Sequence, residues 1–412
     1  MRSILLPTIL FAHSAFACTA FKTTHGGRTL VGLNEDAWSI NANVRFEQGR
    51  DGAYGGIYFA HYNGHPLREM SDQMGMNEAG LVFDGLVVGP GAVKRRTGKP
   101  VVATSDAIRH VMRTCASVQE VATYLRSVDT GPLVGMLFFA DAAGGYLLLE
   151  PDTLFTGNDA WYALSNWRMS TCGDPATIPI PRLQAGRQLL MNDAGASLSG
   201  AEEVLSTMAV CRPKLGEGTL FSALFDPGEA TAHLFFYHDF RERVTFDLKQ
   251  ELAKGDRTVD MASLFGPRPE YERLERCLTP FHQRWMFWIL VSVLCVVVVA
   301  GTYCAIWFLR DALRMIRKRP RTAMGAALLS GLLCVALAGL LSVLLMNEAP
   351  YYFGLGDVHP ALGWLPLIII AMTAGVFIIA RRSSRPRWHM AVMALFIVPV
   401  LGLLAYWQML LP

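Results

Sequence analysis

The feature that most constrains the fold is a set of four long apolar stretches in the last third of the chain. None of them contains Asp, Glu, Lys or Arg, and they run over Trp285–Leu309, Ala323–Met346, Ala361–Ala380 and Met390–Leu411. Each is close to the roughly 20 residues that an α-helix needs to cross a bilayer. The sequence therefore predicts an all-α membrane domain over residues 285–412 with four transmembrane helices. The absence of charge within the spans favours a membrane anchor over an ion or proton path.

Basic residues predict the orientation of these spans. Ten of the 37 Lys and Arg residues lie in the two loops that follow the first and third spans: Arg310, Arg314, Arg317, Lys318, Arg319, Arg321, Arg381, Arg382, Arg385 and Arg387. The loop over residues 347–360 has none. Because basic loops stay in the cytoplasm, the part of the chain that precedes the first span is expected on the outer side. That part is mildly acidic, which argues against a nucleic-acid partner.

The first residues predict export independently. Arg2 precedes an apolar run that ends at Ala15-Phe16-Ala17, the small-x-small pattern of a signal-peptidase site, so residues 1–17 read as a signal peptide. Cleavage there makes Cys18 the first residue of the mature chain. A terminal cysteine combines a nucleophilic thiol with an α-amine of pKa about 7.7–8.0, which is a general base near neutral pH. The alternatives are a cysteine placed there by chance and one half of a disulfide.

Residues 18–255 read as a strand-rich α+β domain. Gly26-Gly27 separates two β-prone runs and predicts a hairpin. Its return strand leads into Asn34-Glu35-Asp36 and brings a carboxylate back beside Cys18. Helices are expected in two pairs, one of them starting at Ser117 with Glu120 at the capping-box position. This mixture of predicted strands and helices indicates a layered α+β sandwich. A polar, proline-containing connector over residues 256–284 is expected to join it to the membrane domain.

Three motifs in order carry a resemblance to a known family. Cys18-Thr19-Ala20-Phe21, Gly32-x-Asn34-Glu35-Asp36 and Gly75-Met76-Asn77-Glu78-Ala79-Gly80-Leu81 resemble the choloylglycine hydrolase and penicillin V acylase group of N-terminal nucleophile (Ntn) hydrolases, together with related linear amide hydrolases. The resemblance covers roughly residues 18–247. It implies a four-layer αββα fold and hydrolysis of a linear, non-peptide amide through an acyl-enzyme, without a cofactor. The ten histidines show no metal-ligand spacing, so no metal is assigned.

The resemblance also implies a set of site residues. Cys18 matches the nucleophile, Asp36 the aspartate beside it, and Asn166 the asparagine that holds the amine or the oxyanion. Arg182 matches the later active-site arginine, with Arg187 as the second choice. Each has an ordinary structural alternative: Asp36 caps a turn, Asn166 ends a strand, and Arg182 lies on a helix surface.

Two departures separate this chain from bile-salt hydrolases. Leu33 stands where those enzymes have an arginine, and Val87 stands where they have an oxyanion-binding asparagine. Bile-salt chemistry is therefore disfavoured, and the oxyanion donors are expected to include backbone N–H groups. The Asn77-Glu78-Ala79-Gly80 segment is interpreted as turn chemistry rather than as part of the site.

The sequence thus predicts a bacterial inner-membrane, multi-pass enzyme whose catalytic domain is periplasmic or extracellular. Its expected partners are a small amphiphilic amide substrate and the lipid bilayer. One alternative is an acyltransferase of the same fold, since both reactions share the acyl-enzyme. Another is a non-catalytic sensor or binding module with a lipidated Cys18. Lipidation is disfavoured because bulky Phe16 precedes Ala17 and because the spans already supply an anchor.

Overall fold

The computed structural model describes residues 18–62, 70–88, 98–130, 135–151, 153–211, 218–316, 324–381 and 388–411. The described chain divides into two compact units, one that ends at Cys277 and one that begins at Leu278. The predicted signal peptide over residues 1–17 lies outside the described residues.

The first unit contains fourteen described strands in two antiparallel sheets. The strands are β1 (Thr19–His25), β2 (Arg28–Ala37), β3 (Asn41–Glu47), β4 (Gly56–Tyr62), β5 (Ser71–Asn77), β6 (Val82–Leu86), β7 (Met136–Ala140), β8 (Tyr146–Leu149), β9 (Leu154–Gly157), β10 (Trp161–Ser165), β11 (Gly218–Asp226), β12 (Thr231–Phe236), β13 (Asp239–Asp247) and β14 (Arg257–Asp260). The first sheet has the order β10-β1-β2-β11-β12-β13, and the second has the order β14-β3-β4-β5-β6-β7-β8-β9.

Six α-helices accompany these strands, and seven more form the second unit. The first six are α1 (Thr104–Thr114), α2 (Val118–Ser127), α3 (Pro181–Met191), α4 (Leu198–Met208), α5 (Leu248–Leu252) and α6 (Pro269–Arg276). The other seven are α7 (Arg284–Ile316), α8 (Met324–Met346), α9 (Ala349–Phe353), α10 (Leu355–Val358), α11 (Pro360–Gly363), α12 (Leu365–Arg381) and α13 (Trp388–Tyr406).

The predicted hairpin between β1 and β2 is confirmed, and its glycines explain the turn. His25 pairs with Arg28, so Gly26 and Gly27 alone form the loop. Their φ angles are +57° and +81°, and a two-residue turn of this kind needs positive φ at both positions. Farther along, Gly32 pairs with fully buried Phe21. A Cβ atom at position 32 would lie 2.2 Å from the Phe21 ring, so the glycine of the sequence motif makes room for that ring.

The two sheets pack face to face, with helices on both outer faces. Between the sheets, the Phe59 ring of β4 lies 6.2 Å from that of Phe221 and 5.7 Å from that of Phe225, both on β11. Helices α1 and α2 bury Val111 and other apolar residues with Phe83 on the outer face of the second sheet. Helices α3 and α4 contact β10, β2 and β11 of the first sheet. The predicted four-layer αββα sandwich is therefore confirmed.

Capping was also predicted correctly at α2. Ser117 Oγ accepts the N–H of Glu120, and the Glu120 carboxylate accepts the N–H of Ser117. The Asn77 segment is a turn, as interpreted: its Oδ1 accepts the N–H groups of Ala79 and Leu81.

The predicted connector over residues 256–284 is wrong in its extent. Residues 257–260 form β14, the edge strand that pairs with β3. Helix α6 follows and buries Tyr271, whose ring makes an edge contact with Phe236 at 4.9 Å and whose hydroxyl donates to the carbonyl of Ile40 at 2.6 Å. The globular unit therefore continues to Cys277. A few apolar residues attach this stretch to the globular unit. Because the average composition of the stretch is polar, the sequence did not indicate them.

In the second unit, three stretches are long and apolar enough to cross a membrane: Arg284–Arg310, Ala327–Met346 and Pro360–Ile379. They match the first three predicted spans. The fourth predicted span overlaps α13, in which the described apolar stretch is Ile397–Tyr406. The count of four spans stays a prediction.

Candidate active site

Cys18 lies at the start of β1, between two neighbouring strands. Thr19 pairs with Asn34 of β2 on one side and with Ser165 of β10 on the other. The Cys18 side chain is a buried thiol. Its Sγ accepts the backbone N–H of Asp36 at 3.4 Å, so the hairpin does return this segment to the cysteine.

Alternation along β2 sends neighbouring side chains to opposite faces of the first sheet. Asn34 and Asp36 point toward the helices, since Asn34 Nδ2 donates to the carbonyl of Leu205 in α4. Glu35 points the other way, into the space between the sheets, where it meets His61 of β4. The two carboxylates of the Asn34-Glu35-Asp36 motif therefore lie on opposite faces of the sheet beside Cys18.

Asp36 and Arg182 form a buried ion pair. Arg182 Nη2 lies 2.6 Å from Asp36 Oδ2, and the two side chains are 14% and 3% exposed. Thr219 Oγ1 donates to the other carboxylate oxygen at 2.6 Å, and Arg182 Nη1 donates to the carbonyl of Met208 at 3.0 Å. Arg187, the second choice, lies instead over the Trp161 ring at 5.2 Å.

Asn166 follows the residue of β10 that pairs with Thr19, which places it across from Cys18. Ser165 Oγ donates to the Cys18 carbonyl at 2.9 Å and ties the two strands together. Asn166 Nδ2 donates to the carbonyl of Val87. Its Oδ1 is buried and forms no hydrogen bond with any described residue. The structure thus brings Cys18, Asp36 and Arg182 together and sets Asn166 beside them.

Three further residues line the site from between the sheets, and the sequence reasoning missed them as site residues. Glu35 Oε2 lies 3.6 Å from Cys18 Sγ, and Glu35 Oε1 lies 3.0 Å from His61 Nε2. Asp84 of β6 is completely buried. We refer to Glu35, His61 and Asp84 as the inner cluster. The available signal was an aspartate inside the apolar run Val82-Phe83-Asp84-Gly85-Leu86, because a lone buried charge is rare without a function.

Burial and negative charge disfavour the thiolate in this chain. Burial raises the pKa of Cys18 well above its ordinary value, and Glu35, Asp36 and Asp84 raise it further, while the N–H of Asp36 opposes them. Burial also raises the pKa of Asp84, and the charge of Glu35 adds to that effect. In the uncleaved chain the nitrogen of Cys18 is a peptide amide. A positive charge at this nitrogen, which only cleavage supplies, would offset the carboxylates.

The inner cluster has no metal-binding arrangement. Among the residues that the structure describes, no group of three His, Cys, Asp or Glu side chains is placed to hold a metal ion. The site consists of Cys18 at the start of β1, the Asp36–Arg182 ion pair on the helix side of the first sheet, and the carboxylates of the inner cluster between the two sheets. The fold and the site together define an αββα protein with a cysteine-centred site at one end of the sandwich.

Comparison with known proteins found similar folds among solved structures. Penicillin V acylase from Agrobacterium tumefaciens is 15% identical, with a TM-score of 0.45 over 57% of this chain and 87% of that chain. Two variants of conjugated bile acid hydrolase from Clostridium perfringens are 15% and 14% identical, each with a TM-score of 0.46. They cover 59% and 61% of this chain and 96% and 97% of their own. No family model and no curated protein sequence matches the chain.

Proposed function

We propose that this protein is an Ntn cysteine hydrolase of linear amides, activated by removal of residues 1–17. The observation that carries the proposal is the convergence on Cys18 of the Asp36 N–H, at 3.4 Å from the sulfur, and the buried Asp36–Arg182 ion pair behind it. A structural cysteine needs no fixed charge pair behind it. A cysteine whose own α-amine acts as the general base does need such a pair, because the amine must be positioned and its pKa adjusted.

The chemistry follows from the terminal residue. The α-amine of mature Cys18 takes the thiol proton, and the sulfur attacks the amide carbonyl. The C–N bond then breaks, the proton leaves with the amine, and a thioester joins the acyl group to the sulfur. Water activated by the same amine breaks the S–C bond and releases the carboxylic acid. Each developing oxyanion needs hydrogen-bond donors, and losing one costs about 10²–10³ in rate.

Asp36 and Asn166 are assigned to the amine. The negative charge of Asp36, held in place by Arg182 and Thr219, acts on Cys18 and stabilises the protonated amine that forms during attack. Asn166 donates one N–H to the carbonyl of Val87 and presents a buried acceptor oxygen, which suits an ammonium. The second N–H of its amide and the backbone N–H groups remain available as oxyanion donors.

The proposed setting is the outer face of a bacterial inner membrane. The signal-peptide pattern, the basic loops after the first and third spans, and the three apolar helices support this assignment. A catalytic unit continuous with membrane-spanning helices suits an amphiphilic substrate, which concentrates at the bilayer. The proposed substrates are therefore N-acyl amides with an apolar acyl chain.

The test is made on the full chain purified from bacterial membranes in detergent. Intact mass is expected to show loss of residues 1–17, and a thiol-directed alkylating reagent is expected to label Cys18 and abolish hydrolysis of N-acyl amides. Cys18→Ser is expected to lose activity, whereas Cys172→Ser, a partly buried cysteine elsewhere in the unit, is the matched control. Retained residues 1–17, a diacylglyceryl adduct on Cys18, or full activity in Cys18→Ser would overturn the proposal.

A further inference from the structure

Three buried polar atoms of the inner cluster have no well-aligned hydrogen-bond partner among the described residues. Both carboxylate oxygens of Asp84 and Nδ1 of His61 are buried without a well-aligned hydrogen bond to any described residue. The neighbouring Gly85 N–H stabilises the Asp84 charge only in part. If His61 donates from Nε2 to Glu35, its Nδ1 is an acceptor as well.

Strand alternation shows that these atoms face one space. Phe59 meets Phe221 and Phe225 between the sheets, so His61, two positions on, points the same way. Phe83 packs outward against the helices, so its neighbour Asp84 points inward. Asp84 pairs with Met74 of β5, and Met74 pairs with Phe59 of β4, so Asp84 lies two strands from Phe59 on the same inner face.

The charges in this space do not balance. Arg182 offsets Asp36, and the mature α-ammonium offsets one more carboxylate. Glu35 and Asp84 together then leave a surplus of one negative charge when both are ionised and His61 is neutral. A second cation with N–H donors would satisfy the unpaired acceptors and the surplus charge at once, and it would favour the ionised form of Asp84.

We propose that the inner cluster selects the leaving amine: the site accepts N-acyl amides of amines that carry a second positive charge and rejects amides of carboxylate- or sulfonate-bearing amines. The proposal rests on the proposed amide hydrolysis. The reacting carbon sits about 3–3.5 Å from the attacking sulfur. Glu35 Oε2 lies 3.6 Å from that sulfur, so in this proposal a leaving amine directed toward the inner cluster places a charge two bonds beyond its nitrogen about 7 Å from Glu35. At an effective dielectric constant near 20, one unit charge at that distance changes the rate about 10- to 100-fold.

The experiment uses the full chain in detergent and three dodecanoyl amides that differ only in the amine. These are the amides of glycine, ethanolamine and 1,2-diaminoethane, with a negative, a neutral and a positive leaving group. Wild type is expected to show the highest kcat/KM for the diamine amide and the lowest for the glycine amide, with a ratio of about 100 or more between them. Asp84→Asn and Glu35→Gln are each expected to lower that ratio about tenfold.

Asp226→Asn is the matched control. Asp226 is a buried aspartate of the first sheet, paired with Arg28 at the end of β2 and β11 opposite the site, so its loss is expected to leave the ratio unchanged. If Glu35→Gln abolishes hydrolysis of all three amides, it gives no kcat/KM ratio, and the ratio in Asp84→Asn alone tests the proposal. A wild-type ratio near one, or an unchanged ratio in Asp84→Asn, means that the chain's own α-ammonium fills the acceptors, and the inference is overturned. Failure to hydrolyse any of the three amides contradicts the proposed function instead.

Discussion

The Arg182–Asp36 ion pair offers the sharpest separation of stability from catalysis. In Arg182→Gln, Asp36 keeps Thr219 as a donor but loses a charge partner 2.6 Å away, and its side chain is only 3% exposed. Removing one partner of a buried pair costs about 3–5 kcal/mol. The lower figure applies here because Thr219 remains and Arg182 is 14% exposed. For a unit of this size, about 3 kcal/mol corresponds to a fall in Tm of about 6–12 °C.

The double variant Asp36→Asn/Arg182→Gln is expected to recover much of that loss, because no unpaired charge stays buried. The coupling free energy between the two positions is expected to be at least about 2 kcal/mol, within the range for residues in direct contact. The catalytic activity, unlike the stability, is not expected to recover in the double variant. The negative charge that would hold the Cys18 amine is absent in the double variant, so kcat is expected to stay about 10²–10³ below wild type despite the recovered Tm.

The assay combines thermal unfolding of the detergent-solubilised chain with hydrolysis of an N-acyl amide. Arg187→Gln is the matched control on the same helix. Its guanidinium lies over Trp161, and its loss is expected to cost under about 1 kcal/mol, the size of a cation–π contact, and little activity. A coupling free energy near zero, or a larger activity loss in Arg187→Gln than in Arg182→Gln, would refute the assignment.

Two other variants test the inner cluster and the Asn77 turn. Burial raises the pKa of Asp84 above that of an unfolded aspartate, so its contribution to stability is full below about pH 4 and is lost as pH rises through the folded-state pKa. Asp84→Asn is therefore expected to exceed wild type in denaturation midpoint at pH 7, with the gap closing near pH 4; equal midpoints at pH 7 would contradict this. Asn77→Ala removes donors to the carbonyls of Met112 and Cys115 at 2.9 and 2.8 Å and is expected to cost about 2–4 kcal/mol, measured by denaturant unfolding, while KM stays unchanged.

Local signals predicted several parts of the fold because their physical cause is local. Gly26 and Gly27 reach positive φ without strain, and that freedom alone identifies the hairpin. The Ser117–Glu120 capping box depends on two side chains three residues apart. The layered sandwich followed from the count and order of such elements. These features could be predicted from the sequence because each is decided within a few residues.

The inner cluster could not be predicted in the same way. In an αββα fold, helices cover one face of each sheet and the other sheet covers the opposite face. Nine of the ten residues of β2 are therefore buried, and the strand shows no alternation of exposed and buried positions. Without that alternation, the sequence could not indicate that Glu35 faces Cys18 from between the sheets while Asp36 faces the helices. The contact between Glu35 and His61 joins residues 26 positions apart, a separation that no sequence pattern defines.

Asp84 is a residue whose charge does not suit its buried position in the fold. A completely buried carboxylate without a charge partner reduces stability at neutral pH, and valine or leucine would suit its place in β6 better. Residues that break local consistency in this way are expected at functional sites. In the uncleaved chain the same charge helps to raise the pKa of the Cys18 thiol, which disfavours the thiolate. Cleavage after Ala17 would add a positive charge at the Cys18 nitrogen that offsets part of this effect, so in the two proposals together the carboxylates raise the thiol pKa in the precursor and select the amine of the substrate in the mature chain.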